Sequence, residues 1–439
     1  MTENSPVPAL AIRENFLLDD CIRGVPPGTF GLDSSLVASQ RWHPADGRMS
    51  LPVLTLDEEA FIANRDLFLR YAREQGAMVA PHAKTPMAPD LARSLVEAGA
   101  WGTTVADIRQ AAVMLRAGLT RLIVANEVGG SGGANRLAAL VGAWPGVELF
   151  VFADSVGAVN ALAEAWRANA MLPPLRVLVE LGAGRAGART TGEAEAIADA
   201  VDAAGGRLLI AGVATYEGAA AQPDPGRTEE AISALLAMTA DMFLRLRARA
   251  GGDVPLIVTA GGSVLFDKVV AALSPAVSRD GNATLVLRSG AIFFHDHGVY
   301  DRSLGALDAR NGFAVGGVSV SARNSFRPAL RLWAEVLSRP EPGLAICGMG
   351  MRDVSFDQGF PMVLAVFRTG RPLPVARAEV FKLNDQHAFL TIAPGDDIAV
   401  GDIIEFGISH PCTCLDRYRV IFGVDAAGHV RHAFPTCFG

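Results

Sequence analysis

From residue 78 onward, short apolar runs end in polar or glycine-rich turns and lead into stretches rich in Ala and Leu at helical spacing. The runs are MVAP (78–81), GTTVA (102–106), RLIVAN (121–126), VELFVFAD (147–154), LRVLVELG (175–182), LLIAGVATYEG (208–218), PLIVTAGG (255–262) and ATLVLRSG (283–290). Segments such as DIRQAAVMLRAG (107–118), SVGAVNALAEAWRAN (155–169) and RTEEAISALLAMTADMFLRLRARAG (227–251) carry the helical period between them. Eight such βα units in about 220 residues predict a (β/α)8 barrel, with an open doubly wound sheet as the rival.

The pattern changes after residue 310. FAVGGVSVSA, PMVLAVFRTG, DIIEFGIS and YRVIFGVD alternate, and helical periodicity fades, so residues 311–439 read as a mainly antiparallel β domain. Residues 51–310 form the barrel unit. Within it, 51–76 (LPVLTLDEEAFIANRDLFLRYAREQG) is a strand and an amphipathic helix leading in, and that strand is a candidate to pair with the C-terminal sheet. Residues 1–50, rich in Pro, Gly and Arg, read as an N-terminal extension with little core of its own.

Composition narrows the class. The net charge is −7 and no Lys/Arg cluster offsets it, which argues against a nucleic-acid partner. Half the residues are hydrophobic, yet no run approaches the roughly 18 apolar residues of a membrane span. The N-terminus lacks the basic and apolar regions of a secretory signal. Five scattered cysteines fit a reduced, cytoplasmic enzyme better than a disulfide scaffold.

In a barrel, chemistry gathers where strands end. Those ends carry Lys84, Asn126, Arg185, Tyr216-Glu217-Gly218, Ala260-Gly261-Gly262-Ser263 and Arg288-Ser289-Gly290. The last two turns are small and open the backbone to an anion, as a phosphate requires. A lysine one turn beyond a buried strand, facing such loops, suits a Schiff-base amine, provided partial burial lowers its basicity. Together these features suggest pyridoxal 5′-phosphate. A phosphosugar-binding barrel is the fallback.

The wording then becomes specific. PHAKTPMAPDL (81–91), VELGAGRAGART, AGVATYEG, VTAGGS, LVLRSGAIFFHDHGVY and ISHPCTC (408–414) follow one another in the order found in the D-threonine aldolase/D-serine dehydratase group. These are alanine-racemase-like, fold-type III pyridoxal-phosphate enzymes, and the chain resembles them from about residue 50 to 420, most closely the bacterial amino acid deaminase or D-serine deaminase-like branch. The resemblance puts Lys84 at the Schiff-base position, Arg185 opposite the pyridine nitrogen and Tyr216 in the cofactor pocket. Gly261, Gly262, Ser263, Ser289 and Gly290 fall on the phosphate loops. His410 and Cys412 match a divalent-metal pair (zinc or manganese) of the dehydratases. If ISHPCTC is a strand, His410 and Cys412 share one face, and both are acceptable metal ligands. Cys414 would share that face, as a spare thiol or a third ligand.

What the resemblance implies is a homodimeric lyase acting on a D-3-hydroxy amino acid of the D-serine or D-threonine type. β-Elimination to a 2-oxo acid and ammonia is the first expectation. Retro-aldol cleavage to glycine and an aldehyde is the second, and racemisation the third. A non-catalytic pyridoxal-phosphate carrier is disfavoured by the C-terminal β domain. An arginine facing the ring nitrogen stays protonated and leaves that nitrogen unprotonated, which weakens the electron sink and suits early loss of a β-substituent. Of the remaining polar residues, His295-Asp296-His297 reads as loop-ordering and His82 as structural. Asp353 and Asp357 read as solvated, Cys347 as packed, and His387, next to Gln386, as able to reach the site.

Overall fold

The computed structural model describes residues 10–261, 264–374 and 377–438. Eight parallel strands, β1 (Ala77–Val79), β2 (Thr103–Val105), β3 (Arg121–Val124), β4 (Glu148–Ala153), β5 (Leu175–Leu181), β6 (Leu208–Thr215), β7 (Leu256–Ala260) and β8 (Ala283–Leu287), run in the order β1-β8-β7-β6-β5-β4-β3-β2. The last gap closes beyond the end of β1, where His82 bridges Thr104 in parallel. There the Ala83 amide donates to Thr104 O (2.8 Å) and the Thr104 amide to Pro81 O (2.9 Å). The predicted barrel is therefore the observed one, with all eight strands where the apolar runs place them.

The strands read as continuous apolar runs because both their faces are dry. On β4, Phe150 and Phe152 point into the barrel with Ile123, Leu178, Ile257 and Val286, while Leu149, Val151 and Ala153 face the helices. Side-chain caps start several of those helices. Asp107 accepts from the Gln110 amide, Ser155 from Ala158, Thr190 from Glu193 and Asp224 from Arg227, each contributing about 1 kcal/mol.

The C-terminal domain is built on Leu330–Glu341, a strand the alternating pattern did not reveal. Its first half pairs antiparallel with Ile403–Gly407 on one side and with the lead-in strand Val53–Asp57 on the other. Val53–Asp57 also runs parallel to Val420–Val424. The expected link between the lead-in strand and the C-terminal sheet is thus present. The N-terminal extension pairs with itself only briefly, Leu17–Leu18 antiparallel to Leu32–Asp33. Its Leu18, Ile22, Val25, Val37 and Trp42 cover this sheet at Val53, Trp333 and Phe422. FAVGGVSVSA yields only a minimal hairpin, Ala314–Val315 with Val318–Ser319.

Two backbone contacts bring the C-terminal domain over the barrel mouth. The His297 amide donates to Ile408 O (2.9 Å) and the Val299 amide to Ser409 O (3.1 Å). Gly298 permits this approach, since a Cβ there would lie 2.7 Å from Ser409 Cα. No helix among the described residues is long and apolar enough to cross a membrane.

Candidate active site

At the C-terminal ends of the strands lies a cavity of about 440 Å³. Its wall brings together Lys84, Arg185, Tyr216, Gly290, His410 and Cys412 from the sequence-predicted set. Lys84 sits on the turn after the His82 bridge and is exposed to the cavity, so the partial burial expected of it is not present in this chain. His82, expected to be structural, bridges Thr104 and also lines the same cavity. Burial first, then the charges of Lys84 and Arg288, hold its imidazole well below the usual histidine range, so it is neutral.

The inner faces of the strands supply the floor. Val286 points into the barrel, so Arg288, two residues on, does as well. Its guanidinium is buried, donates to Thr259 Oγ1 (2.8 Å) and Thr215 O (2.6 Å), and lies 5.3 Å from the Phe152 ring centre. Burial lowers its pKa to about 10, against the support of Glu217 and Glu180. By the same alternation Leu178 brings Glu180 inside, where its Oε1 accepts from Arg185 Nη2 at 3.4 Å. Arg185 in turn stacks 5.5 Å from the Tyr216 ring centre. Arg288 was noted only as part of the strand-end turn, and Glu180 was not singled out as a site residue. For Glu180 the signal available was a charged side chain inside an otherwise apolar strand.

The loops after β7 and β8 behave less simply than open phosphate turns. The Gly261 amide donates to Glu217 Oε2 (3.0 Å), and the Ser289 hydroxyl donates to Gly261 O (2.8 Å). Both residues therefore tie the two loops together, and neither lines the cavity. Gly262 and Ser263 lie outside the described residues. Gly290 does line the cavity, and a Cβ there would come within 2.6 Å of His82 O.

The ISHPCTC segment is not a strand. The sheet ends at Gly407, and Cys412–Leu415 is one helical turn entered through Pro411 in αR geometry. His410 and Cys412 still converge, for a different reason: the turn folds the thiol back onto the imidazole. His410 Nδ1 meets Asp357 Oδ2 at 2.6 Å, and Cys412 Sγ meets Thr85 Oγ1 at 3.2 Å. The hydrogen bond to Cys412 and the one to Asp357 raise the His410 pKa to about 9, with burial opposing. Asp357 is exposed, as expected, yet it is also the carboxylate that orients His410, and it is fixed further by Thr413 Oγ1 (2.7 Å). Asp353, by contrast, is not solvated. It is buried, accepts from the Gly350 amide and pairs with Arg23 at 2.7 Å.

Cys414 is fully buried and lies away from the cavity wall, which removes it as a third ligand. His387 is exposed on the turn joining Ala378–Leu383 to Ala388–Ile392 and does not line the cavity. His295-Asp296-His297 orders a loop, as expected, with Asp296 Oδ1 accepting from the amides of Gly298 (2.6 Å) and Tyr300 (3.0 Å). Cys347 is packed.

This wall fits pyridoxal phosphate. Lys84 offers an amine for its aldehyde, the Arg185 and Arg288 guanidiniums offset its anionic charge, and Gly290 lets the β8 turn pack against the His82 backbone at the cavity wall. Its volume is that of a small-molecule site. His410 and Cys412 are a donor pair for a divalent metal, and the contact between His410 Nδ1 and Asp357 leaves the other ring nitrogen as the ligating one. Among the described residues no group of three or more His, Cys, Asp or Glu side chains could hold a metal, so two ligands are what this chain offers.

Comparison with known proteins agrees with this geometry. Residues 56–263 match the alanine racemase N-terminal domain family, and residues 329–424 match the family described as "Putative serine dehydratase domain". The chain is 25% identical over 323 residues to a 3-hydroxy-D-aspartate aldolase of Paracoccus denitrificans, covering 72% of this chain and 76% of that one. The crystal structure of D-threonine aldolase from Filomicrobium marinum superposes with a TM-score of 0.69 at 25% identity, covering 89% of this chain and 95% of that one. D-threo-3-hydroxyaspartate dehydratase from Delftia sp. HT23 shares the fold, with a TM-score of 0.65 at 22% identity and coverage of 89% and 98%.

Proposed function

Belonging to the alanine-racemase-like group of pyridoxal-phosphate lyases that includes D-threonine aldolase and 3-hydroxyaspartate dehydratase, the chain is, we propose, a β-eliminating enzyme. Its substrate on this reading is a D-3-hydroxy amino acid, converted to a 2-oxo acid and ammonia. The observation that carries the reading is the His410–Cys412 pair on the same cavity wall as Lys84, the pair that resembles the metal ligands of the dehydratases.

Pyridoxal phosphate, when bound, supplies the electron-accepting ring that makes the substrate's α-proton acidic. Lys84 Nζ would hold the cofactor, and its amine is placed on the cavity wall to take the substrate's α-proton. Arg185, steadied by the Tyr216 ring and Glu180 Oε1, presents its guanidinium to the cavity, where it would donate to the ring nitrogen. His82, held neutral by its burial, lines the wall beside Lys84. A divalent metal held by His410 and Cys412 would supply Lewis-acid help to a departing hydroxyl. Asp357 keeps the His410 ring turned toward that position, and Thr85 Oγ1 does the same for the Cys412 sulfur.

The products decide the reaction. With D-serine or D-threonine the chain is expected to release ammonia and a 2-oxo acid in equal amounts. Glycine and an aldehyde as the main products would transfer the assignment to retro-aldol cleavage. That second reading is favoured by one observation, that the 25%-identical relatives named above are aldolases.

Asp357→Ala should lower metal affinity by about 10–100-fold, because a freed imidazole loses its orientation and some basicity. Competition against a chromophoric chelator measures this. Cofactor content should be unchanged, since Asp357 belongs to the C-terminal domain and Lys84 to the barrel.

A further inference from the structure

The barrel floor beneath Arg185 holds two carboxyl groups with no donor to separate them. Glu180 ends the inner face of β5 and is buried, and Glu127 follows β3. Their side chains lie within hydrogen-bonding reach of each other. Glu127 Oε1 and Glu180 Oε2 are buried with no hydrogen-bond partner among the described residues. Two ionised carboxylates are acceptors only and repel at this distance, so a contact of this kind requires a proton between them.

The surrounding charges agree. The groups facing Glu180 are Glu127, Arg185 and Arg288, and the groups facing Arg288 include Glu217 and Tyr216. Two guanidiniums thus meet three carboxyls. One proton on the Glu127–Glu180 pair brings this buried cluster to neutrality, the condition for placing it in a barrel interior at tolerable cost.

We propose that Glu127 and Glu180 share one proton at neutral pH and that the singly charged pair is the positioning device for Arg185. The pair accepts one long hydrogen bond from Arg185 Nη2 (3.4 Å) and leaves the guanidinium, whose side chain is 44% exposed, facing the cavity. A doubly charged pair would instead draw the guanidinium down into a bidentate contact and away from the ligand. The pair acts through Arg185 and touches no substrate. The proposal rests on the cofactor reading only for what Arg185 meets in the cavity.

Burial, followed by the contact with Glu127, raises the Glu180 pKa to about 9. A group raised on folding stabilises the native state fully below its unfolded value, near 4.3, and loses that contribution as pH climbs through the folded value. Glu180→Gln keeps the shape and cannot ionise. Between pH 6 and 8, the wild type's folded-to-unfolded ratio should therefore fall by up to about tenfold per pH unit relative to Glu180→Gln in chemical unfolding of the full-length protein. At neutral pH the wild type should show a protonated-carboxyl infrared band, shifted in heavy water, over and above what the buried Asp296 leaves in Glu180→Gln. Parallel pH profiles for the two proteins, or no such difference band, would overturn the shared proton. The positioning role is read separately, as the apparent dissociation constant for pyridoxal phosphate. Glu180→Gln retains an acceptor for Arg185 and should hold the cofactor within a fewfold of wild type. Glu180→Leu removes the acceptor and should bind it about tenfold more weakly, the loss expected for a hydrogen bond to a charged group. Equal affinity in both variants would overturn the positioning role. The unfolding and infrared measurements do not depend on which product the enzyme makes, so failure of the proposed reaction would leave them intact.

Discussion

Lys84→Ala is expected to lose at least about 10³-fold in turnover, the upper part of the range for removing a positioned proton-transfer group. On the proposed reading two functions rest on one amine, because Lys84 Nζ would both anchor the cofactor and move the α-proton. The structure offers no substitute. The other cationic side chains on the cavity wall are Arg185, Arg288 and His410, and a guanidinium can neither condense with an aldehyde nor act as a base near neutrality. Borohydride reduction of the wild type followed by peptide mass spectrometry should find the cofactor fixed to the peptide carrying Lys84. The variant should bind the cofactor reversibly and give no fixed adduct. An adduct on another lysine of Lys84→Ala would remove the central assignment.

How far the chain could be read from its sequence follows from where each residue's partners lie. The barrel was legible because β1 to β8 are mostly dry on both faces, so most strands announce themselves as largely apolar runs. Leu330–Glu341 was not, because its polar residues have partners in distant strands. Arg331 pairs with Glu405 at 3.1 Å, and register shifts after Val336 break the alternation. At the site, Lys84 and Arg185 were legible as strand-end side chains. Arg288 and Glu180 could have been found by counting two residues on from Val286 and Leu178 along the inner face. For ISHPCTC the approach of His410 and Cys412 to each other was anticipated, but the helical turn that produces it was not. Pro411 was the neglected signal, since a proline is a poor fit inside a strand and well placed to open a helical turn. Asp357 had no signal of its own. It is 53 residues from His410, and only the folded chain brings the two together.

The second large effect separates a metal that works on the leaving group from one that only holds structure. Chelation, or His410→Ala, should leave cofactor binding intact, because Lys84, Arg185 and Gly290 belong to the barrel and none depends on the ISHPCTC turn. Deamination of D-serine should nevertheless fall by about 10²-fold or more, since hydroxide departs poorly without a Lewis acid to take its charge. 3-Chloro-D-alanine carries a leaving group that needs no such help, and its deamination should be nearly spared. The contrast is informative because both substrates use Lys84 identically and differ only at Cβ. A structural metal, removed from the turn that packs on Thr85 and Asp357, would instead disturb the wall and slow both substrates alike. If both reactions persist and elemental analysis finds no metal, His410, Asp357 and Cys412 are a hydrogen-bonded turn and not a metal site. In that case the retro-aldol and elimination readings would both have to rest on the barrel side chains alone.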